Sequence, residues 1–161
     1  MEEYQKSGII LNNLLMLSWI ILGSLTGWYF RPLVAVLYFS FGVIVVYVMH
    51  PKLACPKCYY YDKWCGMGLG RLSALISKPS DSKYFNSFSG MLVIPLIFGI
   101  LVLIPLAIYI TWIFQEFNPI KIIIVVLWLS ELVYGNGIVK KKKCSLCKME
   151  ITCPESALKL T

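Results

Sequence analysis

The chain has 161 residues, of which 58% are hydrophobic and only 14% are charged. Soluble domains usually carry charge on about a quarter of their residues, so this composition excludes an ordinary soluble domain and indicates a membrane protein. The formal net charge of +7 would suggest nucleic-acid binding in a soluble protein. Orientation in a bilayer explains it better here, and we expect no nucleic-acid partner.

Four apolar stretches are long enough to cross a hydrocarbon core of about 30 Å, which needs roughly 20 helical residues. The fourth contains Lys121 and Glu131, whereas the other three contain no charged residue. We therefore predict one all-α integral membrane domain over residues 1–161, whose first span is permanent rather than a cleaved signal peptide. The four predicted spans cover residues 9–30, 33–49, 91–114 and 120–139.

Short connections join the predicted spans in pairs. Drawn at full length, the first two spans are joined by only "RP", but the stretch "GWYFRP", residues 27–32, is predicted as the actual first turn, with Trp28 and Tyr29 in the headgroup region. The stretch "QEFNP", residues 115–119, is predicted as the second. Connections this short force two antiparallel helix hairpins. Within the third span, Pro95 and Pro105 are expected to kink the helix, which membrane helices tolerate.

Basic residues determine the expected orientation. In a four-span protein, the N-terminal tail, the loop 50–90 and the tail 140–161 lie on one side, and they hold every basic residue except Arg31 and Lys121. By the positive-inside rule this side is cytoplasmic. The sequence thus predicts a multi-pass protein of the cell membrane with both termini in the cytoplasm. The lysine run 140–143 would end the fourth span at the inner leaflet, beside anionic lipid.

All six cysteines lie beyond span ends on the predicted cytoplasmic side, in two segments of similar pattern. The segment "CPKCYYYDKWC" follows the second span and is called the loop arm, residues 55–65. The segment "CSLCKMEITC" follows the fourth span and is called the tail arm, residues 144–153. Each arm begins with a C-x2-C pair, so the two antiparallel hairpins would bring both pairs to one face of the bundle.

These two pairs together have the composition of a metal site. The cytoplasm is reducing, so thiols there bind metal or do redox chemistry more often than they form structural disulfides. A C-x2-C turn offers two thiolates to one ion, and tetrahedral structural zinc needs four ligands. "CPKC" and "CSLCK" resemble the paired knuckles of zinc-ribbon and rubredoxin-like sites. We therefore predict one zinc-ribbon-like site shared by both arms, with the ligands Cys55, Cys58, Cys144 and Cys147.

Other assignments of these thiols stay open from the sequence. Iron or an iron–sulfur cluster is the alternative to zinc, since four thiolates suit either metal. Redox-active thiols, transient metal transfer or the absence of any site are further alternatives. The two outlying cysteines, Cys65 and Cys153, could complete a six-thiolate cluster, replace a ligand or be acylated near the bilayer.

Two ionisable residues near or within the spans each have two interpretations. His50 is the only histidine and is expected to be a polar cap at the interface, the alternative being a metal ligand or proton carrier. Glu131, the one acid within a span, either takes a proton or ion role or reaches water or pairs with a lysine or polar group on the cytoplasmic side. One acid without charged partners in the other spans gives little support to an ion pathway.

The rest of the loop is predicted to lie at the membrane interface. The stretch "GMGLGRL", residues 66–72, lacks the glycine spacing of a phosphate-binding loop and is predicted as a turn into an interfacial helix. The apolar residues at helical spacing in this helix are Leu69, Leu72, Leu75 and Ile76. The aromatic residues expected to shield the metal and anchor the loop are Tyr59, Tyr60, Tyr61 and Trp64.

The sequence contains no catalytic constellation, because serine, histidine and acid are not paired and no carboxylate cluster exists. It favours a non-enzymatic subunit, scaffold or assembly factor of a membrane complex, with lipid and other protein subunits as partners. The alternatives are a soft-metal-ion transporter and a membrane redox protein with a rubredoxin-like or iron–sulfur centre. The colour of the purified protein separates iron from zinc.

The predicted orientation can be tested with reporter fusions. A reporter at Thr161 and one in the 115–119 turn should lie on opposite sides of the membrane, because an odd number of spans separates them. Compartment-specific activity of the reporters measures this. Finding both reporters on the same side would contradict the four-span arrangement.

Overall fold

The computed structural model describes residues 4–79, 94–113, 119–139 and 141. Within these ranges the chain is helical and forms no strand. The helices are α1 (Lys6–Phe30), α2 (Pro32–Ile44), α3 (His50–Leu53), α4 (Leu69–Ile76), α5 (Ile94–Ile113) and α6 (Pro119–Tyr134). A π-helical segment, Val45–Met49, joins α2 to α3 without interruption, and another, Gly135–Val139, extends α6.

Three continuous helical segments are long and apolar enough to cross a membrane, namely Lys6–Phe30, Pro32–Leu53 and Pro119–Val139. Helix α5 runs for 20 residues and is apolar from Leu96 to Thr111. These segments confirm the all-α prediction with three to four helices able to span a membrane. The predicted third span also included residues 91–93 and 114, which lie outside the described residues.

The connection between α1 and α2 is shorter than expected, and the prediction of residues 27–32 as the turn is wrong. Helix α1 continues to its end at Phe30, and Arg31 alone, with φ −156° and ψ 134°, connects it to α2. Pro32 begins α2 at a position where a backbone N–H would have no helical partner. Gly27 makes this tight connection possible, since a Cβ there would lie 3.1 Å from the Ala35 nitrogen.

Two more glycines allow α1 and α2 to pack closely. The Tyr38 ring lies against Gly23, where a Cβ would come within 2.7 Å of the ring. The Ile20 side chain lies against Gly42, where a Cβ would come within 3.0 Å of it. In lipid, helices associate through such van der Waals contact between small and large residues, because the hydrophobic effect does not separate protein from lipid tails.

Contacts between α1 and α6 show that these helices are antiparallel. The Ser18 hydroxyl donates a hydrogen bond of 2.8 Å to Glu131 Oε1. The Trp19 ring stacks on the Trp128 ring with 5.7 Å between centroids and 16° between planes. Residue numbers therefore rise along α1 as they fall along α6. The C-terminal end of α6 consequently lies at the same end of the bundle as the start of α1.

Contacts of α5 show that it is likewise antiparallel to its neighbour, the continuous α2–α3 segment. The Tyr38 hydroxyl donates to the Leu101 carbonyl over 2.9 Å, and the His50 ring meets the Phe98 ring edge-on at 5.8 Å. Helix α5 is therefore antiparallel to the continuous α2–α3 segment, and both α3 and the start of α5 lie at the end of the bundle where α1 begins. The buried core that joins these helices consists of Trp19, Ile20, Tyr38, Val45, Val46, Leu101 and Trp128.

The Tyr38 hydroxyl bonds to the Leu101 carbonyl, which has no donor within α5 because Pro105 lacks an N–H. Pro105 lies inside α5 and has no N–H, so it cannot donate to the carbonyl of Leu101, four residues earlier. Both residues are buried. Because hydrocarbon offers no donor, another helix must supply one, and the Tyr38 hydroxyl of α2 does so. A bend of α5 at Pro105 stays a prediction.

We expect Tyr38→Phe to lower the free energy of unfolding by about 1–3 kcal/mol, because it leaves the buried Leu101 carbonyl without a donor. Thermal or chemical unfolding in detergent measures this loss. The effect should be smaller in a Pro105→Ala background, where the alanine N–H can bond to Leu101 within the helix. Tyr134→Phe is the matched control, since Tyr134 is 48% exposed. An equal loss from Tyr38→Phe in both backgrounds would contradict the explanation.

Candidate metal centre

The loop arm begins with a tight turn directly after α3. Residues Cys55–Lys57 form one turn of 3-10 helix, and the Cys58 amide donates to the Cys55 carbonyl over 3.1 Å. Pro56 stands at a position of this turn that suits its fixed φ and missing N–H. The C-x2-C pair is thus held in a compact backbone turn, the arrangement that lets two thiolates approach one ion.

The three thiols of the loop arm are partly buried near one another. Burial raises the pKa of the Cys55 thiol, and the nearby Cys65 and Cys58 raise it further, in that order. A buried thiol with a raised pKa is a weak nucleophile in the absence of a metal. Cys55 therefore lacks the lowered pKa of a reactive redox thiol.

The loop arm is held against the N-terminal part of α1. The Tyr4 amide donates to the Trp64 carbonyl over 3.0 Å. The side-chain amide of Asn12 donates to the Gly66 carbonyl. The side-chain amide of Asn13 donates to the Met67 carbonyl over 3.0 Å. These bonds attach the end of the loop arm and the turn that follows it to one face of α1.

Glycine is required where the chain leaves the loop arm. Gly68 has a φ of +72°, which places it in the left-handed region, and a Cβ there would lie 2.8 Å from the Ile9 side chain. Helix α4 begins at the next residue, Leu69. The prediction that residues 66–72 form a turn leading into a helix is confirmed.

The aromatic residues of the loop arm pack it together. Tyr60 is buried and meets Tyr4 edge-on at 5.6 Å and Tyr59 edge-on at 5.3 Å. The Lys63 ammonium lies 4.6 Å from the centroid of the Tyr59 ring. The Tyr60 ring therefore fills the space between the loop arm and the residues that precede α1. Shielding of a metal by these rings stays a prediction.

Helix α4 closes the loop arm from the other side. The Tyr61 hydroxyl donates to the Ser77 carbonyl over 2.7 Å, and the Arg71 guanidinium lies 4.7 Å from the centroid of the Trp64 ring. A Cβ at Gly70 would overlap the carbonyl oxygens of the loop arm. Leu75, by contrast, is 85% exposed, so part of the predicted apolar stripe faces away from the protein.

The end of α6 reaches the level of the loop arm. Glu131 lies eight residues before Val139, which is about 12 Å at a rise of 1.5 Å per residue. Because α1 is antiparallel to α6, the residue of α1 expected opposite Val139 is Ile10, eight residues before Ser18. The loop arm and the turn after it contact residues 4–13 of the same chain segment. By this count the helical extension of α6 is expected to end near the level of the loop arm along the bundle axis, whereas the residues of the tail arm lie outside the described ranges.

The predicted ligands divide between described and undescribed residues. Cys55 and Cys58 belong to the loop arm as described above, whereas Cys144, Cys147 and Cys153 lie outside the described residues. Across residues 4–79, 94–113, 119–139 and 141, no three histidine, cysteine or acidic side chains form a group able to hold a metal ion. The loop arm, which is the described part of the predicted site, thus supplies thiols but no complete metal site. The set of four cysteine ligands stays a prediction.

Two further residues singled out by the sequence lie within the helix bundle. His50 begins α3 and packs edge-on against Phe98. Glu131 accepts a hydrogen bond from the Ser18 hydroxyl near the middle of α1, which gives it a polar partner. Its position towards the cytoplasm and its proton or ion role stay predictions. Sequence reasoning missed the attachment of the loop arm to α1, although Asn12 and Asn13, the two amides in the first predicted span, were a usable signal.

Comparison with known proteins gives no match, whether to a protein family, a curated protein or a solved structure.

We expect Gly70→Ala to open the loop arm. Its Cβ would overlap backbone oxygens, and overpacking of this kind costs about 1–3 kcal/mol. The rate at which Cys55 reacts with a maleimide should therefore rise about tenfold or more, as measured by mass spectrometry. Gly8→Ala is the matched control, because a Cβ at Gly8 meets nothing within 4 Å. Equal labelling rates in the two variants would contradict this packing.

Proposed function

We propose that the chain is a small multi-pass protein of the cell membrane, with both termini and the loop 50–90 in the cytoplasm. Its two arms bind one structural zinc ion through Cys55, Cys58, Cys144 and Cys147. The zinc ties the tail to the helix bundle. The resulting cytoplasmic element serves as a scaffold, so that the protein acts as a subunit or assembly factor of a larger membrane complex.

This proposal rests on the antiparallel packing of α6 against α1, which directs the end of α6 towards the end of the bundle where the loop arm lies. Four residues separate Val139 from Cys144. A segment of this length extends at most about 3.3–3.6 Å per residue, or roughly 17–18 Å across the five steps from Val139 to Cys144. The tail arm therefore starts within reach of a loop arm located at the same end of the bundle. The loop arm alone offers one C-x2-C pair, which leaves tetrahedral zinc two ligands short.

The environment of the loop arm supports a closed structural site of the kind that zinc forms. Its thiols are partly buried, its Tyr60 ring packs against Tyr4, and its Trp64 carbonyl accepts a hydrogen bond from the Tyr4 amide. A closed, rigid setting suits a structural ion with four protein ligands and no open position. The neighbouring positive charges, Lys52, Lys63 and the lysine run 140–143, would offset part of the negative charge of four thiolates.

A role in assembly follows from what the helices leave uncovered. Helix α6 exposes Ile123, Val126 and Val133, which are 58%, 57% and 70% exposed. Such side chains suit contact with lipid or with the helices of other subunits. Soft-metal transport receives less support, because the predicted spans contain no cysteine from which a relay across the bilayer could be built.

We expect Cys58→Ser and Cys147→Ser each to abolish stoichiometric zinc, and the double variant to lose no more than either single variant. Each substitution removes one of four ligands of a single ion, which leaves the site open. Metal analysis of anaerobically purified protein measures the zinc content, and the visible absorption spectrum shows whether iron is bound instead.

Cys153→Ser is the matched control for this experiment, since Cys153 lies in the tail arm outside the C-x2-C pair. It should retain the zinc. If Cys58→Ser removes half of the metal and Cys147→Ser the other half, each arm has a site of its own and the shared site is wrong.

A further inference from the structure

The contact between α1 and α6 contains four polar side chains within about one helical turn. Ser18 and Trp19 are neighbours on α1 and lie near the middle of that helix. Trp128 and Glu131 are three residues apart on α6 and therefore share a face. The hydrogen bond between Ser18 and Glu131 and the stacking of the two tryptophans hold these groups together.

Three polar atoms in this group have no hydrogen-bond partner among the described residues. They are the indole nitrogens of Trp19 and Trp128 and the Oε2 atom of Glu131, and all three atoms are buried. The two tryptophans are 6% and 1% exposed, so neither nitrogen reaches the surface. Buried polar groups in proteins are normally bonded to protein or to ordered water, and leaving one without a partner is costly.

The unpaired atoms are two donors and one acceptor. An indole nitrogen can only donate, whereas an ionised carboxylate oxygen can only accept. One water molecule accepts two hydrogen bonds and donates two, so it can receive both indole N–H groups and donate to Glu131 Oε2. Buried waters typically make about three such bonds.

We propose that α1 and α6 enclose an internal water site formed by Trp19, Trp128 and Glu131, with Glu131 as its hydrogen-bond acceptor. The Ser18 hydroxyl fixes Oε1, which leaves Oε2 to face the water. The bound water lowers the cost of a carboxyl group within an apolar bundle, because it replaces part of the hydration that the group loses on burial. This site is independent of the proposed zinc.

Nuclear magnetic resonance of protein labelled with 15N-tryptophan in nanodiscs tests the water site. Trp19→Phe and Trp128→Phe assign the two indole signals by removing one at a time while keeping an aromatic ring. Both indole N–H protons should show cross-peaks to water in the native protein. Glu131→Leu should abolish those cross-peaks. Glu131→Gln should retain them, because the amide oxygen still accepts a hydrogen bond.

Ser130→Ala is the matched control, since the exposed Ser130 hydroxyl bonds to the Leu127 carbonyl of its own helix. It should leave both signals and their water cross-peaks unchanged. Folded native protein without a water cross-peak at the Trp19 and Trp128 indoles would overturn the proposal. Cross-peaks that persist unchanged in folded Glu131→Leu would overturn the role of Glu131.

Discussion

Close packing between α1 and α2 is the interaction on which the rest of the described structure depends. It requires glycine at positions 23 and 42, where the Tyr38 ring and the Ile20 side chain occupy the space of a Cβ. Once these helices are joined by Arg31 alone, the loop arm must emerge beside the start of α1. The opposite part of α1 then remains available for Trp128 and Glu131 of α6.

A second constraint is that polar groups inside an apolar bundle need partners from the protein. Tyr38 bonds to the Leu101 carbonyl, which has no helical donor because Pro105 lacks an N–H, and Ser18 bonds to Glu131. Each of these bonds joins two different helices, so it also defines their relative position. Polar side chains are few in these spans, and because each has few possible partners they specify the arrangement more narrowly than apolar packing does.

The sequence predicts the long helices well, because runs of apolar residues longer than about 17 have few other structures open to them. It predicts the connections less well. The one-residue turn at Arg31 depends on space at Gly27 that only the partner helix defines, so the turn predicted at residues 27–32 is wrong. Likewise, the pairing of Tyr38 with Leu101 crosses 63 positions and follows from geometry that no local pattern encodes. For the candidate site, the cysteine spacing identifies the loop arm but not its attachment to α1.

That attachment changes how metal binding and folding would be coupled in the proposed site. Zinc usually contributes its binding free energy to folding because the apo segment is unfolded. Here Tyr4 holds the end of the loop arm, Asn12 and Asn13 hold the turn that follows it, and the Tyr60 ring of the arm packs against Tyr4. Contacts within the protein therefore already offset the entropic cost of ordering the Cys55 and Cys58 thiols, without metal. The binding energy of zinc would then act mainly on the tail arm, which makes capture of the tail, rather than folding of the loop, the event that metal controls.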